Sequence, residues 1–129
     1  MTNANEYPAL VLAYIGDAYF ELLVRERITC GGDCNISSLS PKAKEYVTAV
    51  AQSAAVERLL PSLTPEEEAA FKRGRNAKTN HTPRSAASLE YHRATGLESL
   101  FGWLYVRREE KRARELFDIC FPGTTEVSE

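Results

Sequence analysis

Three carboxylates occupy positions where hydrophobic patterning alone would not put them. Asp17 and Glu21 interrupt PALVLAYIGDAYFELLV, residues 8–24, which is otherwise apolar or glycine, and Glu98 is the one charge in TGLESLFGWLYV, residues 95–106. An uncompensated buried carboxylate costs several kcal/mol, against about 5–15 kcal/mol for a whole domain, so each group needs a donor or a cation. Asp17 and Glu21 stand four residues apart, on one face of a helix. Packed helices have axes about 8–10 Å apart, close enough for a carboxylate from each to reach one magnesium ion at oxygen distances of about 2.1 Å. Asp17 and Glu98 are expected to meet in this way. The alternative is that arginine, lysine, backbone donors or solvent satisfy each one separately. Gly16 and Gly102 permit either close helix approach or access of a bulky ligand to the carboxylates.

Other chemistries fit less well. His81 and His92 have no context that assembles a serine or cysteine nucleophile. Cys30 and Cys34 with those histidines follow no zinc-finger spacing, and three cysteines, with Cys120, are an odd number. The thiols are expected to be free. A second kind of chemistry resides in KRGRNAK, residues 72–78: no acid occurs between Glu68 and Glu90, while Lys72, Arg73, Arg75, Lys78 and Arg84 do. Lysines bind phosphate as point charges and arginines as planar forks, so this segment is a local anion-binding patch on a chain whose net charge is only −2.

The elements that must position these groups read as helices. Pro8 opens a helix through Val24 that is expected to be buried nearly all round. CGGDCN, residues 30–35, is a turn. Ser40-Pro41 starts a second helix through about Leu60, with Ala43, Val47, Val50, Ala54 and Leu59 as its apolar stripe. Thr64 and Glu67 form a capping signature for a third helix, and Thr79 to Pro83 read as a loop. A short helix leads into a long one over 91–106, and 107–121 reads as an ordinary solvated helix. At 129 residues the chain accommodates one domain, expected over 1–121, with a small, polar tail over 122–129. No signal peptide or membrane span is expected, which points to the cytoplasm.

LAYIGDAYFELLVRERI, Leu12 to Ile28, resembles the signature helix of ribonuclease III. KRGRNAK at Lys72 to Lys78 and YHRATGLESLFGWLYV at Tyr91 to Val106 follow in the order found in Mini-ribonuclease III proteins, so the chain is identified as a member of that family over most of its length. The resemblance implies an all-α ribonuclease III endonuclease-domain fold, a homodimer without an appended RNA-binding domain, and cleavage of double-stranded RNA that matures 23S ribosomal RNA precursors. It implies that Asp17 and Glu98 are the catalytic, metal-holding pair, with Mg2+ as cofactor and Mn2+ able to substitute. Two acidic positions of full-length ribonuclease III fall on Ala13 and Thr95, which leaves fewer protein oxygens, and Glu21 is added as a further candidate metal carboxylate. Lys72, Arg73, Arg75, Asn76, Lys78 and Arg84 are the candidate RNA contacts, while Tyr14, Ala18 and Leu22 are expected at the dimer contact. A large-subunit ribosomal protein is a further implied partner. Two other readings stand beside this one: a catalytically silent ribonuclease III fold that binds RNA, and a helical protein-interaction adaptor.

Overall fold

The computed structural model describes residues 3–30, 32, 35–78 and 88–122. Its helices are α1 (Ala9–Thr29), α2 (Ile36–Val47), α3 (Ala49–Leu59), α4 (Pro65–Arg75), α5 (Ser88–Val106) and α6 (Glu110–Cys120), with 310 turns at Ala4–Glu6 and Leu60–Ser62 and no strand among the described residues. The architecture is all-α. The expected tail beyond Pro122, the loop from Thr79 to Pro83, Arg84 and Cys34 lie outside the described residues.

α5 is surrounded by α1, α3, α4 and α6, which is why its sequence is apolar on every side: Leu97, Leu100, Phe101, Trp103 and Leu104 are all buried. Phe20 of α1 meets Phe101 and Phe117 edge-on, with ring centroids 5.3 and 5.4 Å away, tying α1, α5 and α6 into one core. α1 and α5 cross with their backbones touching. A Cβ at position 16 would overlap the carbonyl oxygen of Glu98 and lie 2.7 Å from the Gly102 nitrogen; a Cβ at position 102 would overlap the Leu12 carbonyl oxygen. Of the two uses open to Gly16 and Gly102, close helix approach is the one observed.

The expected single helix over 40–60 is instead two. α2 starts earlier, because Asn35 accepts a hydrogen bond from the Ser37 amide at 3.0 Å and caps it; Pro41 then sits inside the helix and forfeits one ladder bond. Thr48 takes extended angles and accepts from the Ala51 amide at 3.1 Å, opening α3 afresh. That break resets the helical phase. Val47 and Val50 are consequently exposed, and the buried face of α3 is Gln52, Ala55, Val56 and Leu59.

The Thr64–Glu67 capping box is present, with both reciprocal hydrogen bonds formed. Glu67 has a second task. Its side chain is buried and accepts from Arg112 Nε at 2.8 Å and Nη2 at 2.9 Å, clamping α4 to α6. Burial alone would push this carboxyl up; the hydrogen bonds from Arg112 and from the Thr64 amide reverse that and hold it below its ordinary value. The clamp therefore stabilises the fold above the ordinary carboxylate pKa and is lost as pH falls through the lowered one. Arg112→Ala, which strands the buried carboxylate, is expected to cost about 3 kcal/mol at neutral pH. Urea unfolding should show that difference shrinking as Glu67 becomes protonated.

Candidate active site

Asp17 is on the third turn of α1 and Glu98 is midway along α5, on the two helices that the Gly16–Gly102 crossing brings together. Their carboxyl groups come within hydrogen-bonding reach of one another. Burial, and then the charge of Asp17, push the Glu98 carboxyl up to about 8. Neither carboxylate has an arginine or lysine partner among the described residues; the alternative of separate ion pairs is not what the structure displays. Asp17 itself is exposed rather than buried, and Glu98 is the half-buried member. The expectation of burial failed because one face of α1, formed by Leu10, Val11, Tyr14, Ala18 and Leu22, is open in the single chain, Tyr14 being 82% exposed.

Two oxygen-bearing side chains in contact, one raised in pKa by burial and by its acidic neighbour, form a donor set that fits a hard divalent cation. The set is small. Among the described residues no three histidine, cysteine or carboxylate groups gather around one point. Ala13 and Thr95, each one turn before a member of the pair, are nearly buried and neutral, and the Thr95 hydroxyl is engaged with the Tyr91 carbonyl oxygen at 3.0 Å. Glu21 lines the same groove as Asp17 but pairs with Arg25 at 3.0 Å, an i,i+4 ion pair on its own helix. Only the shared groove connects it to the pair.

Because the raised pKa of Glu98 means that the folded, metal-free chain binds a proton more tightly than the unfolded one, stability from this group is complete below about 4.5 and is lost as pH rises through about 8. Melting curves in chelator are expected to show the wild type losing ground to Glu98→Gln between these limits. Parallel curves would show that Glu98 is not raised in the folded chain.

The groove beside Asp17 has a volume of about 550 Å3 and is lined by Tyr14, Ile15, Ala18, Leu22 and Tyr105 among others. Tyr105 was not singled out in the sequence, where it is one more apolar position of α5. The basic segment is only partly free. Arg73 donates to the Tyr7 carbonyl oxygen at 2.7 Å, Lys72 pairs with Glu68 at 3.1 Å, and Arg75 donates to Asn76 at 3.0 Å beside the Phe71 ring. Asn76 and Lys78 are exposed at the end of α4.

The class of protein that this helical fold and carboxylate pair define is the ribonuclease III domain, whose family model matches residues 10–109. The Mini-ribonuclease 3 of Symbiobacterium thermophilum is 41% identical over 116 residues, covering 90% of this chain and 89% of that protein. That of Enterococcus faecalis is 36% identical, covering all of this chain and 99% of its own. A crystal structure of a protein from Fusobacterium nucleatum superposes with a TM-score of 0.81 at 31% identity, over 97% of this chain and 100% of the other. The chain belongs to the Mini-ribonuclease III branch of the ribonuclease III family, and is an endoribonuclease.

Proposed function

We propose that the chain is a magnesium-dependent endoribonuclease of double-stranded RNA that matures 23S ribosomal RNA precursor ends in the cytoplasm, with Asp17 and Glu98 as its catalytic pair. The observation that carries this reading is the contact of these two carboxylates across the α1–α5 crossing of a ribonuclease III fold. Asp17 and Glu98 would hold a divalent cation, which would supply positive charge at the attacked phosphate and the attacking water. The chain's own part is placement. Glu98 is fixed by the packed centre of α5, and Asp17 presents its carboxylate to solvent, on the side from which RNA would approach. Cleavage that breaks the bond to the 3′ oxygen leaves 5′-phosphate and 3′-hydroxyl ends. Manganese, with the same preference for oxygen ligands, would substitute.

The exposed stripe of Leu10, Val11, Tyr14, Ala18 and Leu22 supports a homodimer through α1, which would place two sites for the two strands of a duplex. A large-subunit ribosomal protein is a candidate for shaping the substrate. No described helix is long and apolar enough to cross a membrane. The test is to incubate the chain with structured precursor RNA, with and without magnesium, and to map fragment ends. Duplex cuts bearing 5′ phosphates support the reading; intact RNA, with or without added ribosomal protein, would replace it by an RNA-binding fold without activity.

In this reading Lys72, Arg73, Arg75, Asn76, Lys78 and Arg84 contact RNA, mostly at phosphates, since A-form duplexes offer shape and backbone rather than readable base edges. Replacing Arg73 and Lys78 together by alanine is expected to lower the slope of log Kd against log salt by about two, with roughly tenfold weaker binding near physiological salt. An unchanged slope would remove both residues from the interface.

A further inference from the structure

The groove beside Asp17 runs into a smaller notch of about 150 Å3 lined by Tyr19, Tyr105, Arg108 and Glu110, and Tyr19 and Tyr105 line both spaces. The notch lies where α5 turns into α6. We propose that it is an anion subsite in which Arg108 and Tyr19 hold a backbone phosphate of the bound RNA, away from the phosphate being cut. This inference rests on the double-stranded RNA reading given above.

Three independent observations point to an anion. The first is charge. Around this turn Arg107 pairs with Glu109, Arg112 with Glu67 and Arg114 with Glu26, whereas Arg108 has no carboxylate partner among the described residues. Its guanidinium lies 5.4 Å from the centroid of the Tyr105 ring, a cation–π contact that holds the charge beside the notch. The backbone of Arg108 is left-handed, with φ 62°, so a side chain is kept at a position where glycine would be unstrained.

The second observation is the Tyr19 hydroxyl. Tyr19 is more than nine-tenths buried, it lines the notch, and its hydroxyl has no hydrogen-bond partner among the described residues. Burial, and then the Glu110 carboxylate, push its phenol above the ordinary value, so it keeps its proton and remains a donor in want of an acceptor. The third is the α6 N-terminus, whose cap residue Glu109 makes no side-chain hydrogen bond to the first-turn amides. Two carboxylates act against an anion here, Glu110 in the notch and Glu26 beside Tyr19, and Arg114 draws both, at 3.6 and 2.7 Å. An arginine fork, a phenol donor and a helix N-terminus make a receptor for a phosphodiester oxygen. Such a contact fixes register along the backbone without reading sequence.

The test uses the full chain carrying Asp17→Asn, to prevent cutting, and a defined RNA duplex. Adding Arg108→Gly is expected to raise the duplex Kd about fivefold to tenfold and to lower the salt slope by about one, while the melting temperature stays the same or rises because strain is relieved. Tyr19→Phe should weaken binding several-fold at unchanged or higher melting temperature, since it deletes only an unsatisfied hydroxyl. Unchanged Kd and slope in both variants, with the wild-type chain cutting duplex RNA, overturn the subsite and leave the enzyme reading intact. If no variant binds duplex RNA, reading and subsite fall together. A change in sedimentation with an unchanged salt slope would assign the notch to a carboxylate of a neighbouring protein chain and overturn the proposal.

Discussion

Asp17→Asn and Glu98→Gln are each expected to lower the single-turnover rate of duplex RNA cleavage by about a thousandfold or more. The pair supplies the only two contacting carboxylates at the α1–α5 crossing among the described residues, so there is no third group to take over. Charge stabilisation of a phosphoryl transition state contributes several kcal/mol, and about 4 kcal/mol corresponds to a thousandfold in rate. Both substitutions keep the side-chain shape. The folded structure should survive: circular dichroism is expected to match the wild type, and the Glu98→Gln protein should melt no lower in chelator at alkaline pH, where the mutual repulsion of the pair is greatest. Because the two groups act as one unit, the double variant should be scarcely slower than either single one. Rates that multiply to a millionfold would mean that Asp17 and Glu98 serve separate steps, and a single variant within tenfold of wild type would end that residue's assignment.

Gly16→Ala should do damage of a different kind. The added methyl would overlap the Glu98 carbonyl oxygen and stand 2.7 Å from the Gly102 nitrogen, and these are backbone atoms of the most enclosed helix. A side chain can rotate away; a helix backbone cannot. Overpacking against side chains costs about 1–3 kcal/mol, so a clash with main chain is expected at the top of that range or beyond, lowering the melting temperature by roughly 10 °C or more. Gly102→Ala, whose methyl would overlap the Leu12 carbonyl oxygen, should behave alike. Gly32→Ala is the informative contrast. Gly32 has φ 92° but open space around it, so its substitution should cost only the local strain, about 1 kcal/mol. If all three variants melted together, close contact at the crossing would not be what distinguishes positions 16 and 102.

Those two glycines also explain what could be read from the residues alone. Apolar runs around all sides of residues 8–24 and 95–106 require burial on several faces, and small residues inside them permit contact, so α1 and α5 were legible as a central pair with their carboxylates near one another. The Thr64–Glu67 box was legible because its two hydrogen bonds are local in sequence. The division at Thr48 was not. A threonine in a helical stripe carries the same signature whether it continues the helix or caps a new one, and only the packing of α3 on α5 decides. Likewise, Leu10, Tyr14 and Leu22 are as apolar as Leu12 and Phe20, so periodicity could not separate the face turned to the core from the face left open. Glu21 shared a helical face with Asp17, but the competing Arg25 four residues on was a nearer charge than any ion. Arg108 lay hidden in a run of mixed charges, where its unusual backbone angle leaves no mark on composition.

The backbone contact at the α1–α5 crossing carries a consequence for motion. Amide hydrogens of a helix sealed on all sides exchange with solvent only when the whole domain opens, whereas those of loops and frayed ends exchange through small local fluctuations. Since Asp17 and Glu98 ride on the two helices locked at Gly16 and Gly102, the spacing of their backbone positions cannot relax without opening that crossing. Amides around Leu97 to Leu104 should therefore be the last to exchange, with protection equal to the global unfolding free energy. This enzyme would hold the roots of its two carboxylates as a fixed caliper, leaving only the side chains to adjust to what lies between them.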